Sequence, residues 1–212
     1  MKETYLFDFD GTLVDSMPTY GSVMLRILDE HGIKYGDDMI KIITPLGYTG
    51  TAKYFRELGI DKSVDELIGI MIKYMKREYA ETIPPKEGVR EALLSLKAGG
   101  ADLNVLTASP HDMLDVCLKR CELYELFTNV WSCEDFKTTK ADPAIYKLAA
   151  ERIGAPVSDI IFIDDNINAV KTAKSAGMIS YGIYDDTSRD AIDEMKAVAD
   201  GYLFSLEELI SD

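Results

Sequence analysis

The chain has few cysteines and few positive charges. Its 212 residues include three cysteines, Cys117, Cys121 and Cys133. An odd number in a chain of this size predicts reduced thiols rather than a disulfide framework. Cys117 and Cys121 lie four residues apart on a predicted helix and would suit half of a metal site, but no nearby Cys or His pair completes it. We therefore expect a protein of the reducing cytoplasm.

Lys and Arg are scarce relative to the acidic residues. The sequence has 23 Lys and Arg against 37 Asp and Glu, which gives a formal net charge of −14. Nucleic acids and anionic membranes bind proteins mainly through Lys and Arg, so we expect neither as a partner. An anionic substrate would also be repelled at long range, and it would need a local positive patch or a metal ion.

Long hydrophobic runs are missing as well. No segment has the length and apolarity of a membrane span, and the first residues run into an apolar stretch broken by aspartates, which is not typical of a signal peptide. We find no internal repeat and no low-complexity segment. Hydrophobic residues make up 47% of the sequence, close to the usual globular share. These features predict a cytoplasmic globular protein, which we expect to be a monomer or a homodimer.

The pattern of apolar residues changes once along the chain. A short apolar strand, Tyr5–Phe9, is followed by a long stretch with apolar residues three and four apart, which predicts several helices. After the segment 83–88, short apolar runs alternate with helical patterns. This alternation predicts a doubly wound, Rossmann-like α/β core with a parallel sheet. We therefore expect a core of residues 1–16 and 85–212, with an inserted all-helical domain of residues 17–84.

The elements of the predicted core follow from the same patterns. The predicted strands are Tyr5–Phe9, Leu103–Leu106, a short one near Val130-Trp131, Ile160–Ile163, Ile179–Ile183 and Tyr202–Phe204. The predicted helices are Val89–Lys97, His111–Arg120, Pro143–Ile153, Ile167–Ala176 and Leu206–Ile210. Ser205 is the expected N-cap of the last helix.

Acidic residues, a hydroxyl group and a lysine stand at or near the ends of the predicted strands. Each has an ordinary interpretation when taken alone, as a turn, a strand end, a helix N-cap or a solvated lysine. However, ligands of open parallel sheets bind beyond the carboxyl ends of the strands. Two adjacent acidic clusters would also repel each other without a hard cation between them. The residues are Asp8 and Asp10, Thr107, Lys140, and Asp164 and Asp165.

In their order along the chain, these residues resemble the four motifs of the haloacid dehalogenase superfamily. The segment Asp8-Phe9-Asp10-Gly11-Thr12 looks like the first motif, Thr107 the second, Lys140 the third and Asp164-Asp165 the fourth. The resemblance covers the whole chain, and the helical insert is similar to the C1-type cap of the phosphoglycolate phosphatase-like branch. It implies a phosphatase that acts on a small phosphorylated metabolite.

The resemblance implies a role for each matched residue. Asp8 would be the nucleophile that forms an aspartyl-phosphate, and Asp10 would be the general acid and base. Lys140 would pair with Asp8 and with a phosphoryl oxygen, and we expect no other lysine beside a core motif. Mg²⁺ would be held by Asp8, the Asp10 carbonyl and Asp165. Asp164 is an alternative metal ligand, and its role stays open. The residues implied to bind phosphate are Gly11, Thr12, Thr107, Ala108 and Ser109.

Two positions depart from the family pattern. Ala141 replaces a usual proline of the third motif, and Ala169 stands where the fourth motif often has a further aspartate. A β-phosphoglucomutase-like phosphosugar isomerase is an alternative function, although such enzymes usually have histidine at the place of Tyr20 and seldom a threonine at that of Thr12. A non-catalytic phosphometabolite-binding protein is a second alternative.

The helical insert is expected to choose the substrate. Lys53 and Arg56 are three residues apart, so on a helix they share a face that could bind an anionic group. They could equally be solvated surface charges. Phosphoglycolate, a sugar phosphate, a nucleotide monophosphate and pyrophosphate all remain open as substrates.

Overall fold

The structure of the protein, a computed structural model, describes residues 3–210. The described chain forms two compact units. One consists of residues 3–15 and 84–210, and the other is Ser16–Ile83. The first unit contains a β-sheet with helices, and the second is built from helices. None of the helices within residues 3–210 combines the length and the apolarity that crossing a bilayer requires.

Six parallel strands form one sheet in the first unit. The strands are β1 (Thr4–Phe7), β2 (Asp102–Thr107), β3 (Asn129–Ser132), β4 (Ile160–Asp164), β5 (Ile179–Ile183) and β6 (Gly201–Leu203). Their order is β3-β2-β1-β4-β5-β6, and all neighbours are parallel. The chain extends the sheet from β1 in one direction and then returns to the other side of β1 with β4. This topology confirms the predicted doubly wound α/β core.

The order of the strands determines where a ligand can bind. The direction of winding reverses between β1 and β4, and such a switch point leaves a crevice beyond the carboxyl ends of the two strands. Phe7 of β1 lies opposite Val105 of β2 and Ile163 of β4. The residues that follow, Asp8 and Asp164, are therefore neighbours at this crevice.

Four helices make up the second unit. They are α1 (Met17–Glu30), α2 (Met39–Ile43), α3 (Gly47–Glu57) and α4 (Val64–Glu81). Helix α4 begins with a capping box, in which Ser63 Oγ accepts the backbone N–H of Glu66 at 3.2 Å and the Ser63 N–H donates to Glu66 Oε2 at 2.7 Å. The helices bury apolar side chains spaced three and four apart, such as Met24, Ile27 and Leu28 in α1.

Five helices accompany the sheet in the first unit. They are α5 (Val89–Ala98), α6 (His111–Arg120), α7 (Ala144–Ile153), α8 (Ile167–Ala176) and α9 (Ile192–Val198). The bounds of α6 and α8 are those predicted, and α5 and α7 differ from the prediction by one residue at one end. Tyr146 of α7 packs edge-on against Phe162 of β4, with 5.0 Å between the ring centroids.

Strands β2, β4 and β6 differ from their predicted bounds by one residue at one or both ends, and three larger differences correct the sequence analysis. Strand β1 ends at Phe7 rather than Phe9, because Asp8 and Phe9 already turn into the loop that follows. Helix α9 was not predicted. It has seven residues and buries only Met195, so its periodicity is weak. The expected helix Leu206–Ile210 is instead a 3₁₀-helix, Leu206–Leu209, although Ser205 does cap it by accepting the Glu207 N–H at 3.2 Å.

Candidate active site

Three carboxylates meet at the carboxyl ends of β1 and β4. Asp8 follows β1, and its N–H donates to the carbonyl of Ile163 at 2.9 Å. Asp164 is the last residue of β4, and Asp165 comes next. Each of the three aspartates offers a carboxylate oxygen within 4.8 Å of the others, a spacing that could hold one metal ion. Oxygen-only donor sets of this kind suit hard cations such as Mg²⁺.

Lys140 lies between two of these carboxylates. Its Nζ donates to Asp8 Oδ1 and, at 2.8 Å, to Asp164 Oδ2, and its side chain is only 14% exposed. Burial opposes the charge on Lys140, but the carboxylates of Asp164 and Asp8 outweigh burial and raise the pKa of the ammonium. The interpretation of Lys140 as a solvated surface lysine is therefore wrong.

The backbone around Lys140 is held by a buried tyrosine. Tyr146 Oη lies 3.1 Å from the carbonyl oxygens of both Lys140 and Ala169, which share its single hydrogen as acceptors. Ala169 is one of the two positions that depart from the family pattern. In the motif that contains Ala141, Asp142 Oδ1 accepts the Ala144 N–H at 2.9 Å and so caps the start of α7. The contact of Tyr146 with the Lys140 carbonyl is thus present with alanine at both positions.

The carboxylate cluster carries more negative charge than Lys140 compensates. Burial raises the pKa of Asp8 to about 7, because the attraction of Lys140 is offset by the nearby Asp164 and Asp10. Burial, with the charges of Asp164 and Asp8, also raises the pKa of Asp165 well above its usual range. A hard cation would relieve this repulsion, so the residues present fit the metal that the sequence implies.

Gly11 allows the loop after β1 to approach Asp165. Its φ is +77°, and a Cβ atom on Gly11 would lie 2.8 Å from Asp165 Oδ2. The Gly11 N–H donates to the carbonyl of Val14 at 3.0 Å, which closes the loop. Both the positive φ and the close approach require glycine at this position.

The end of β2 contacts the second aspartate of the first motif. Thr107 Oγ1 accepts the N–H of Ser109 at 3.1 Å, and Ser109 Oγ donates to Asp10 Oδ2 at 2.5 Å. Ala108 is exposed between them. Thr12 is fully buried, and its hydroxyl has no hydrogen-bond partner among residues 3–210. The structure thus brings together Asp10, Thr107 and Ser109.

Asp164 uses both of its carboxylate oxygens. Oδ2 accepts from Lys140, and Oδ1 accepts the N–H of Asn166 at 2.7 Å. The N-cap of α8 is Asn166, whose side chain accepts the Asn168 N–H at 2.9 Å. Neither Asp164 nor Asp165 is therefore the helix cap, and Asp164 holds Lys140 in place.

Lys86 and Asp185 belong to the same edge of the sheet, although the sequence analysis did not single them out. Lys86 Nζ donates to the carbonyl of Gly11 at 2.7 Å, to that of Tyr184 at 2.6 Å and to Asp185 Oδ2 at 3.1 Å. The expectation that no lysine other than Lys140 lies beside a core motif is therefore wrong. Asp185 follows β5, so the rule about carboxyl ends could have found it. Lys86 is 75 residues from Gly11 and carries no local signal.

Lys53 and Arg56 lie on α3 in the second unit. Together with Glu57 they line a cavity of about 350 Å³. They are one helical turn apart, as the spacing predicted.

Comparisons with known proteins identify a family, related sequences and a similar solved structure. Residues 5–183 match the family model described as haloacid dehalogenase-like hydrolase. A phosphorylated carbohydrates phosphatase from Thermotoga maritima is 29% identical over 177 residues, which cover 83% of this chain and 82% of the relative. Pyrophosphatase PpaX from Bacillus velezensis is 30% identical over 180 residues, covering 84% and 81%. A solved Thermotoga maritima structure, described as a candidate beta-phosphoglucomutase, is 27% identical, with a TM-score of 0.83 and coverage of 98% of this chain and 96% of its own.

We predict that Gly11→Ala weakens the binding of a divalent cation. Gly154→Ala is the matched control, because Gly154 has a φ of +80° and nothing within 4 Å of its potential Cβ. Both variants should lose about 1–2 kcal/mol of unfolding free energy through backbone strain. Only Gly11→Ala should bind Mg²⁺ several-fold more weakly in a calorimetric titration, because Asp165 must move. Equal affinities in the two variants would contradict the role of this contact.

Proposed function

This chain belongs to the haloacid dehalogenase-like hydrolases and is a phosphatase, and from that premise we propose that it hydrolyses a small phosphate monoester with Mg²⁺ through an aspartyl-phosphate on Asp8. The observation that carries the proposal is the contact of Lys140 with both Asp8 and Asp164, beside Asp165, at the carboxyl ends of β1 and β4.

The reaction takes place in two displacements at phosphorus. In the first, a carboxylate oxygen of Asp8 bonds to phosphorus, the ester P–O bond breaks, and Asp10 gives its proton to the leaving oxygen. In the second, Asp10 takes a proton from a water molecule that attacks the phosphorus. The bond to Asp8 then breaks, which releases inorganic phosphate and restores the carboxylate.

The side chains around Asp8 and Asp10 supply the positioning that phosphoryl transfer requires. Lys140 orients the Asp8 carboxylate and adds positive charge beside the phosphoryl oxygens. Ser109 Oγ donates a hydrogen bond to Asp10 Oδ2 and so orients the carboxylate of the proposed general acid and base. Thr107 accepts the Ser109 N–H, so its own hydroxyl hydrogen can be donated to a phosphoryl oxygen, along with the N–H of Ala108.

The metal would be held by Asp8, Asp165 and the carbonyl of Asp10. We favour Asp165 over Asp164 because both oxygens of Asp164 are engaged by Lys140 and by the Asn166 N–H. When bound, Mg²⁺ would screen the negative charges of the attacking carboxylate and the phosphoryl group from each other.

The class of substrate follows from the charges available. The chain is acidic overall, so a substrate with two anionic groups needs positive charge at both ends. We propose that Lys53 and Arg56 recognise the second anionic group. A phosphorylated carbohydrate and pyrophosphate are substrates suggested by the names of the relatives. Phosphoglycolate and a nucleotide monophosphate complete the candidates.

A phosphosugar isomerase is the second candidate function, because the solved structure described above is named as a beta-phosphoglucomutase. Tyr20, which stands where such enzymes usually have histidine, shares a hydrogen bond with Thr51 at 3.3 Å. Phosphorus NMR of a reaction with a hexose 1-phosphate separates the two functions: inorganic phosphate supports hydrolysis, and a new sugar phosphate supports isomerisation.

Asp8→Asn should abolish turnover. The change removes the nucleophile but keeps the shape of the side chain, and Asp164 still pairs with Lys140, so we expect a folded protein. Activity should fall to less than about a thousandth of wild type with any substrate the wild type accepts. A higher residual activity, in a preparation free of contaminating phosphatase, would exclude covalent catalysis by Asp8.

Asp165→Asn should raise the Mg²⁺ concentration that gives half-maximal activity. The matched control is Asp159→Asn, since Asp159 precedes β4 and stands at the opposite end of that strand. We expect at least a tenfold increase for Asp165→Asn, about 1.4 kcal/mol, and none for the control. An unchanged Mg²⁺ dependence in Asp165→Asn would transfer the metal role to Asp164.

The double variant Lys53→Ala/Arg56→Ala should change selectivity rather than chemistry. We expect kcat/KM to fall by about 5- to 150-fold, a loss of about 1–3 kcal/mol in transition-state stabilisation, for a substrate with a second anionic group. For an aryl phosphate without a second anionic group, kcat/KM should change little. Lys73→Ala/Arg77→Ala likewise removes one lysine and one arginine, here from α4, and serves as the control. Equal losses on both substrates, or no loss on either, would reject the proposed recognition.

A further inference from the structure

The ammonium group of Lys86 joins the loop after β1 to the end of β5. A lysine has three N–H donors, and here each has an acceptor: the Gly11 carbonyl, the Tyr184 carbonyl and Asp185 Oδ2, at 2.6–3.1 Å. The side chain is only 20% exposed, so these three hydrogen bonds take the place of the water molecules that would hydrate an exposed ammonium group. A charged donor to a backbone carbonyl is stronger than a neutral one.

The backbone of Lys86 is fixed to the same loop. Its N–H donates to the carbonyl of Leu13 at 3.0 Å, and the N–H of Asp15 donates to the carbonyl of Pro84 at 2.9 Å. Val14 and Pro85 form an antiparallel bridge. The segment that carries Lys86 is thus paired with residues 13–15, and the side chain reaches from that pairing to the tip of the loop.

Asp185 holds the other end of the contact. It is 3% exposed, and its Oδ1 accepts the N–H of Thr187 at 3.0 Å and the Thr187 hydroxyl at 2.6 Å. Its second oxygen is left for Lys86. The carboxylate is therefore anchored to its own turn by Oδ1 and presents Oδ2 to Lys86.

The carbonyl that Lys86 binds belongs to the Gly11–Thr12 peptide group, and only the Asp10–Gly11 peptide group separates it from Asp10. The Gly11 carbonyl faces Lys86, and the Gly11 Cα faces the carboxylate of Asp165. The Gly11 N–H donates to the carbonyl of Val14, and Asp10 forms a parallel bridge with Val14. A displacement of Gly11 away from Lys86 would therefore shift the backbone of Asp10 and disturb the contact of its carboxylate with Ser109 Oγ.

We propose that Lys86 is a positioning residue, which acts through the Gly11 carbonyl to hold Asp10 in the orientation needed to protonate the leaving group. This inference rests on the proposed function, in which Asp10 is the general acid. Asp185 serves as the anchor for Lys86. Neither residue needs to touch the substrate.

The effect should depend on the leaving group. The leaving group of an alkyl phosphate is a strongly basic alkoxide, so its departure depends on proton transfer. The leaving group of p-nitrophenyl phosphate is a stable phenolate, whose departure depends little on proton transfer. The value of kcat/KM covers the steps up to the departure of this group. A defect in the orientation of Asp10 should therefore lower kcat/KM for the alkyl ester much more than for the aryl ester.

The test compares Lys86→Met with Lys174→Met in the full chain with saturating Mg²⁺. Lys174 makes a similar set of contacts elsewhere, to the carbonyl of Val198 at 2.7 Å and to Asp200 at 2.8 Å. We expect Lys86→Met to lose about 10- to 100-fold in kcat/KM for glycerol phosphate and less than about fivefold for p-nitrophenyl phosphate. Lys174→Met should stay within about twofold of wild type on both.

Restoring the ammonium should restore the activity. Lys86→Cys treated with 2-bromoethylamine gains a side chain close to lysine in length and charge, and a cavity of about 180 Å³ adjoins the position, so the reagent can reach it. Wild type treated in the same way controls for the three native cysteines.

Asp185→Asn, which keeps the shape of the anchor, should show the same dependence on the leaving group with a smaller loss. This variant replaces Lys86→Met if Lys86→Met does not fold.

The outcomes separate this inference from the proposed function. A wild type without Mg²⁺-dependent activity on either ester would reject the proposed function. An active wild type, with losses in Lys86→Met or Asp185→Asn that are absent or equal on the two esters, would reject the positioning role alone. Aminoethylation that fails to restore the alkyl ester activity would also reject it.

Discussion

The ammonium of Lys140 lies buried between the carboxylates of Asp8 and Asp164, and this contact organises the edge of the sheet. Burying a charge costs several kcal/mol unless it is paired and hydrogen-bonded, and removing one partner of such a pair is strongly destabilising. Tyr146 fixes the backbone of the lysine, and the Asn166 N–H fixes Asp164. The cluster still carries an excess of negative charge, which a hard cation would compensate.

The sheet topology brings these groups together from distant parts of the chain. Asp8 and Asp164 become neighbours because β1 and β4 pair in parallel at the point where the winding reverses. Gly11 then allows the loop to approach Asp165, and Lys86 holds the carbonyl of the same residue. Asp8 and Asp10, the proposed nucleophile and acid, are thus placed by backbone geometry, which suits a reaction that depends mainly on positioning.

The sequence predicted most of the fold and much of the candidate site, for physical reasons. Strands buried on both faces are short apolar runs, so the six strands could be found, and the helices α6 and α8 have clear periodicity. Helix α9 escaped because it buries a single residue. The contacts of Lys86 could not be predicted, since a lysine after two prolines carries no sign that its side chain turns back to a loop 75 residues away. Asp185 lies two residues beyond β5 and outside the four motifs from which the site was predicted.

Trapping the phosphorylated side chain tests the covalent role of Asp8 most directly. In Asp10→Asn the proposed base for hydrolysis is missing, while p-nitrophenyl phosphate needs no acid to depart, so the intermediate should accumulate. Borohydride reduces an aspartyl-phosphate to homoserine, which mass spectrometry of the peptides can locate. We predict a burst of about one nitrophenolate per active site, with homoserine in place of Asp8. A burst with homoserine at another residue, or an active wild type whose Asp10→Asn variant gives neither burst nor homoserine, would contradict the mechanism.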